Sequence, residues 1–288
     1  GAKVWAVPDQ WSWPLDLPAR DFGIDTAGSG GGDLLDTARG SEAYSRAPDL
    51  TAEFEVKLLR PERRIGPAGY AANEAALFHR DTKTLVLTDA LVNVPKQPTR
   101  LYDEQSLIGL GDNRRDGRTL GNLLLRVVKG VNYQGTGARE IEALFSDAGA
   151  QGSASEQLQR GWERNTLLSL FFGPAPSTIV DPDPSFRRVA GRWIVAPVTE
   201  SLIYSSDKVR PELGRWVEDI TRWDFEFISP SHFDARPGTP EDVRSAFRGI
   251  HSPAGPGADA VDRARPYDSG DMRFLDDVSA VLRDLDTP

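Results

Sequence analysis

Apolar and polar positions along the chain alternate between strand-like and helix-like spacing. Residues 2–7 (AKVWAV) read as a short strand ended by Pro8, and residues 11–18 (WSWPLDLP) as an extended segment. Residues 54–59 (FEVKLL) also carry strand spacing. Residues 74–79 (EAALFH), the polar stretch 80–83 and residues 84–88 (TLVLT) predict a β-hairpin. Its second strand is a continuous apolar run, the pattern of a strand covered on both faces. Residues 155–172 predict a helix with Ser155 as N-cap and Gly173-Pro174 as the stop. Residues 193–198 (WIVAPV) read as a buried strand broken by Pro197, with the apolar run resumed at 202–204. Residues 211–223 predict a helix with proline in its first turn and Trp216, Ile220 and Trp223 on one face. A strand at 225–228 and a short helix at 240–247 follow. From Asp271 the chain reads as a separate amphipathic helix. Strands alternating with helices make the chain α/β.

The segment 104–155 fits this alternation poorly. Residues 120–128 and 138–145 have helical spacing but are set among glycines, and the segment reads as an insertion. The predicted organisation is one domain over 1–250, a linker over 251–270 and a C-terminal helix over 271–288. The glycine- and proline-rich stretches 28–32, 135–155 and 252–266 offer little apolar surface to offset their ordering entropy, so contacts with neighbouring chains are expected to hold them.

Composition narrows the function classes. The 288 residues are 39% hydrophobic, enough for a sizeable core. The net charge of −9 argues against sequence-independent nucleic-acid binding, which relies on basic patches. There are no cysteines, which excludes disulfides, thiolate metal sites and thiol catalysis. No apolar run is long enough to span a bilayer. The chain opens on Gly1 without a signal-peptide pattern, and the expectation is a removed leader or a longer parent polypeptide.

Two residues occupy the places where α/β folds put their sites, just past the carboxyl ends of buried strands. Asp89 follows the run Leu85-Val86-Leu87-Thr88, where a carboxylate needs a partner to offset desolvation. His232 follows residues 225–228 through Ser229-Pro230-Ser231. An Asp oxygen and a His nitrogen are both zinc ligands, but catalytic zinc takes three protein ligands and an open position. Of the other histidines, His79 lies at the far end of the preceding strand, across the hairpin turn. His251 lies in the proline- and glycine-rich stretch. Asp234 is placed to orient the His232 ring. The glycine clusters lack the flanking strand and helix of a phosphate loop, and no serine stands in a G-x-S-x-G context.

Five segments in fixed order resemble one family: 2–17, 77–94 (LFHRDTKTLVLTDALVNV), 160–174 (RGWERNTLLSLFFGP), 193–204 (WIVAPVTESLIY) and 223–235 (WDFEFISPSHFDA). The family is a domain family of unknown function from cyanobacteria, algae and plants, related to the metallo-β-lactamase superfamily. The resemblance implies an αββα sandwich, N-terminally incomplete. It also implies that Asp89 and His232 stand at metal-ligand positions, the Asp bridging two metals in related enzymes. The superfamily's H-x-H-x-D-H motif occurs nowhere in the chain. Asp89 and His232 are thus vestigial ligand candidates that should meet at one edge of the sandwich. No cofactor is expected unless a preceding segment supplies ligands for zinc or iron.

The resulting expectation is a non-catalytic descendant, an accessory or structural subunit of a larger photosynthetic plastid assembly, with no transmembrane span and peripheral to the membrane. The alternative is a metal-dependent hydrolase with a mononuclear or N-terminally completed zinc site. The family's distribution implies a chloroplast. Partner contacts are expected through the stripe Leu275, Val278, Leu282 and Leu285 of the C-terminal helix.

Overall fold

The computed structural model describes residues 4–7, 32–33, 48–61, 73–112, 152–250 and 265–284. In chain order the first elements are β1 (Trp5–Ala6), β2 (Gly32–Asp33), α1 (Pro48–Glu53), β3 (Phe54–Leu59), β4 (Glu74–His79), β5 (Thr84–Val86), β6 (Val92–Asn93) and α2 (Glu104–Gly111). Next come α3 (Ala154–Phe171), α4 (Pro176–Val180), α5 (Asp183–Val189), β7 (Trp193–Ile194) and α6 (Pro197–Thr199), which runs into a π-helical turn at Glu200–Tyr204. The chain continues through α7 (Arg210–Ile220), β8 (Phe227–Ser229), β9 (Arg236–Pro237), α8 (Pro240–Ala246) and α9 (Ser269–Asp284). The chain is mixed α/β. It divides into two compact units: residues 1–92, 203–263 and 282–288, and residues 93–202 and 264–281. Among the described residues, no helix is long and apolar enough to cross a membrane.

The first unit is built on a five-stranded mixed sheet in the order β3-β4-β5-β8-β9. β4 pairs antiparallel with β3 and with β5, and the hairpin aligns Leu77 with Val86 and His79 with Thr84. β5 and β8 are parallel, with Leu85 opposite Ile228, both fully buried. The face that carries them is covered, whereas on the other face Thr84 and Val86 are only half-buried and Phe227 is exposed, so the continuous apolar run of β5 does not mark a strand covered on both faces. Leu213, Trp216, Val217 and Ile220 form the buried face of α7. The Trp216 indole N–H donates to the Lys57 carbonyl (3.2 Å), fixing this helix against β3. Trp223, just beyond the helix end, stacks on Phe78 (centroids 5.5 Å apart) and donates to Glu55 Oε2 (2.8 Å).

The second unit is mainly helical. α2 and α3 meet at a glycine pair: a β-carbon on Gly161 would stand 1.8 Å from the Leu107 carbonyl oxygen, and one on Gly111 would stand 1.8 Å from that of Gln157. Arg164 of α3 is wholly buried and donates to the carbonyls of Leu110 (2.9 Å), Ile179 (2.7 Å) and Val180 (3.1 Å). The α3 N-cap is Ser153, two residues before the predicted Ser155. Ser153 Oγ accepts from the Glu156 amide, and Glu156 Oε2 accepts from the Ser153 amide (2.6 Å). This reciprocal box needs an acidic or amide side chain three residues after the cap; Ser155 would place Leu158 there.

The C-terminal helix is tied into the second unit. Asp271, in the first turn of α9, accepts from the Ala175 amide (2.9 Å) and from the Thr178 and Ser185 hydroxyls (2.6 Å each). Arg265 pairs with Glu200 (2.9 Å) and Asp276 (3.1 Å), and the Tyr267 hydroxyl donates to the Val195 carbonyl (2.6 Å). Arg265 and Tyr267 thus belong to the packed unit, although composition assigns them to a linker. Leu275 is 0% exposed and Val278 half-buried, so the chain itself covers Leu275. The side chain of Leu282, and Leu285, lie outside the described residues, as do most of the extended segment 11–18, the glycine-rich stretches and the predicted helices 120–128 and 138–145. The predicted strand 193–198 is reduced to Trp193–Ile194, because Pro197 opens α6 at its first turn.

Candidate functional site

The parallel pairing of β5 with β8 brings two strand-end loops side by side. Beyond the last strand residues the ladder continues: the Leu87 amide donates to the Ser229 carbonyl (3.0 Å) and the Ser231 amide to the Thr88 carbonyl (3.2 Å). Asp89 and His232 therefore leave the sheet together. His232 Nε2 lies 2.8 Å from Asp89 Oδ1, with side chains 62% and 61% exposed. Phe233 follows at φ +69°, a backbone region that non-glycine residues rarely occupy, and turns the chain back toward β9.

Behind the pair lies a residue that the sequence analysis gave no role. Glu74, the first residue of β4, is 4% exposed. In the hairpin register it sits beyond the end of β5, beside Thr88 and Asp89. Its Oε1 accepts from the Thr88 amide (2.9 Å) and the Thr88 hydroxyl (2.5 Å), and its Oε2 accepts from the Asp89 amide (3.2 Å). Burial pushes the Glu74 carboxyl up to about 7, against the opposing pull of these donated hydrogen bonds. Tyr204 is buried in the same region. Burial, then the nearby Glu74 and Asp89 carboxylates, raise its phenol well above the ordinary range. One signal for Glu74 was present in the sequence: a carboxylate heading an otherwise apolar strand must find donors if that strand is buried.

The remaining candidates do not join the pair. His79 ends β4 opposite Thr84, and its Nδ1 lies 2.6 Å from the Thr82 hydroxyl. Five residue-to-residue steps lead from Thr84 to Asp89, a distance on the order of 16 Å at the strand rise, so His79 stands at the opposite end of the hairpin. Asp234 is exposed. His251 lies outside the described residues.

Among the described residues, no group of three or more His, Asp or Glu side chains could hold a metal ion. A catalytic zinc site takes three protein donors, and Asp89 with His232 makes two, already hydrogen-bonded to each other. The described donor set therefore does not fit the metal centre that the family resemblance implies.

A family profile, the domain of unknown function DUF4336, matches residues 1–189 and 181–248. The chain belongs to this family. Both halves of the candidate site, Asp89 and His232, fall within the matched residues. Comparison with curated proteins and with solved structures gives no match.

Proposed function

We propose that this chain is a non-catalytic relative of the metallo-hydrolases, an αββα sandwich of metallo-β-lactamase type reused as an accessory or structural subunit of a larger assembly. The carrying observation is the closed Asp89–His232 pair. Two residues that the resemblance puts at metal-ligand positions sit together at the strand ends, bonded to each other at 2.8 Å, with no third ligand beside them among the described residues. A water on a metal held by two donors would lack the rigid, three-ligand frame on which catalytic zinc depends. The resemblance further suggests a chloroplast and a photosynthetic host assembly.

Two measurements test the reading. After dialysis, the purified protein should carry far less than one equivalent of zinc or iron; stoichiometric metal whose removal abolishes a hydrolytic activity overturns the proposal in favour of a metal-dependent hydrolase. In a native extract the chain should elute well above its 31.6 kDa mass. Elution as a free monomer rules out the subunit role.

A further inference from the structure

We infer that Glu74 is the positioning residue of the Asp89–His232 pair, acting through the backbone of the β5 strand-end loop. The inference rests on reading Asp89 and His232 as one site, and goes beyond that reading by naming what holds it in register. An exposed Asp–His hydrogen bond between two loops contributes little and does not by itself fix its geometry. Asp89 and His232 are each more than half exposed, so the order of the pair must come from the loops that carry them.

The His232 loop is held by the β5–β8 ladder, through the Ser231 amide on the Thr88 carbonyl. The same ladder reaches the Asp89 loop only as far as the Thr88 carbonyl, which leaves room for a further anchor at Asp89. Glu74 supplies it. One carboxyl oxygen takes both donors of Thr88, and the other takes the Asp89 amide. These three bonds fix two consecutive residues from the core side, leaving the Asp89 side chain directed at His232.

This division of labour between the two oxygens makes the inference testable with a near-isosteric change. In Glu74→Gln one oxygen becomes an NH2 group, which cannot accept. Thr88 supplies two donors and Asp89 one, so the remaining carbonyl oxygen is best kept toward Thr88. The new NH2 then faces the Asp89 N–H, donor against donor. Glu74→Gln should therefore release the Asp89 amide while the side chain keeps its volume and its hold on Thr88.

The readout is the His232 imidazole, observed through its carbon-bound ring protons by NMR at one fixed pH above 7, where the Glu74 carboxyl is ionised and both its oxygens accept. The His232 signals are identified by their loss in a His232→Gln variant, and those of His79 by their loss in His79→Gln. Asp89→Asn sets the signature of a pair that has lost its charge partner. The inference expects Glu74→Gln to move the His232 signals at least halfway toward their Asp89→Asn positions, with the His79 signals unmoved. Thr88→Ser, which retains both donors to Glu74, should leave all of them in place. If Glu74→Gln folds with His232 signals at wild-type positions while Asp89→Asn shifts them, Glu74 is not a positioning residue. If Asp89→Asn itself leaves His232 unmoved, the pair is absent in solution and the underlying site reading falls with the inference. Should Glu74→Gln fail to fold, Thr88→Val decides: it removes one of the three donors, and unshifted His232 signals there overturn the inference.

Discussion

Replacing Gly161 by Ala tests the close backbone contact between α2 and α3. On helix propensity alone the change is favourable by about 1 kcal/mol, since glycine inside a helix carries an excess entropic cost. The seam between α2 and α3 opposes it. The added β-carbon would lie 1.8 Å from the Leu107 carbonyl oxygen, 2.6 Å from the Leu107 carbonyl carbon and 3.0 Å from the Gly111 amide nitrogen. All three obstacles are backbone, so no side-chain rotation relieves them. Restoring an ordinary contact requires the helices to part by roughly 1.5 Å, against a packing density that leaves no slack. Parting also stretches the bonds that cross the seam, Arg160 to the Gly111 carbonyl (3.1 Å) and Arg164 to the Leu110 carbonyl (2.9 Å). Arg164 has no access to water that could replace a lost acceptor. Overpacking costs about 1–3 kcal/mol, and a buried donor left unmet costs a similar amount, so the net effect after the propensity gain is about 3 kcal/mol of destabilisation. Urea unfolding followed by far-ultraviolet circular dichroism measures it. A variant equal to or more stable than the parent chain would show that the helices do not meet at these glycines.

Glu74 gives the chain a distinctive pH dependence. Its folded-state value, about 7, lies above the ordinary 4.5, so its favourable contribution is fully present below pH 4.5 and is lost as pH rises through 7. Ionising it should cost the folded state about 3 kcal/mol, and the fall in urea midpoint between pH 5 and pH 8 should shrink in Glu74→Gln; equal slopes in the two proteins would show that Glu74 titrates normally. For the C-terminal helix, Leu275→Ala should destabilise by about 2–5 kcal/mol, the range for a core leucine. Thermal unfolding checks this, and a loss below about 0.5 kcal/mol would mean that α9 is not packed on its own unit.

The hairpin was legible because one signal dominated: an apolar run, a polar turn and a second apolar run leave one pairing that buries both strands, and β4 begins and ends at the predicted residues. The two long helices were legible from their apolar spacing, while their ends were set by local chemistry that spacing does not carry. Ser153 outcompetes Ser155 as cap because of where Glu156 stands. The short helix α2 escaped notice because its critical residues are glycines. Glycine weakens a helical pattern along the chain, yet in space Gly111 and Gly161 are what allow two backbones to touch. Likewise the composition of 251–270 suggests a linker throughout, but a single arginine between Glu200 and Asp276 and a single buried tyrosine suffice to seat its last residues.

The candidate site divides along a similar line. Asp89 and His232 were visible because each breaks an apolar strand at its carboxyl end, and two adjacent parallel strands necessarily present such residues to one another. That pairing depends on β5 and β8 being neighbours, a long-range fact that the local pattern does not carry. Glu74 was easily passed over for the opposite reason: it stands at the beginning of a strand, where polar residues are ordinary and usually solvated. Antiparallel pairing converts that beginning into the neighbour of the β5 end, and so places a buried carboxyl beneath the exposed pair. A residue of this kind is found by asking which strand runs against the one that carries the site. A carboxylate at the start of that antiparallel neighbour lies within reach of the strand-end amides, and its burial compels it to bind them.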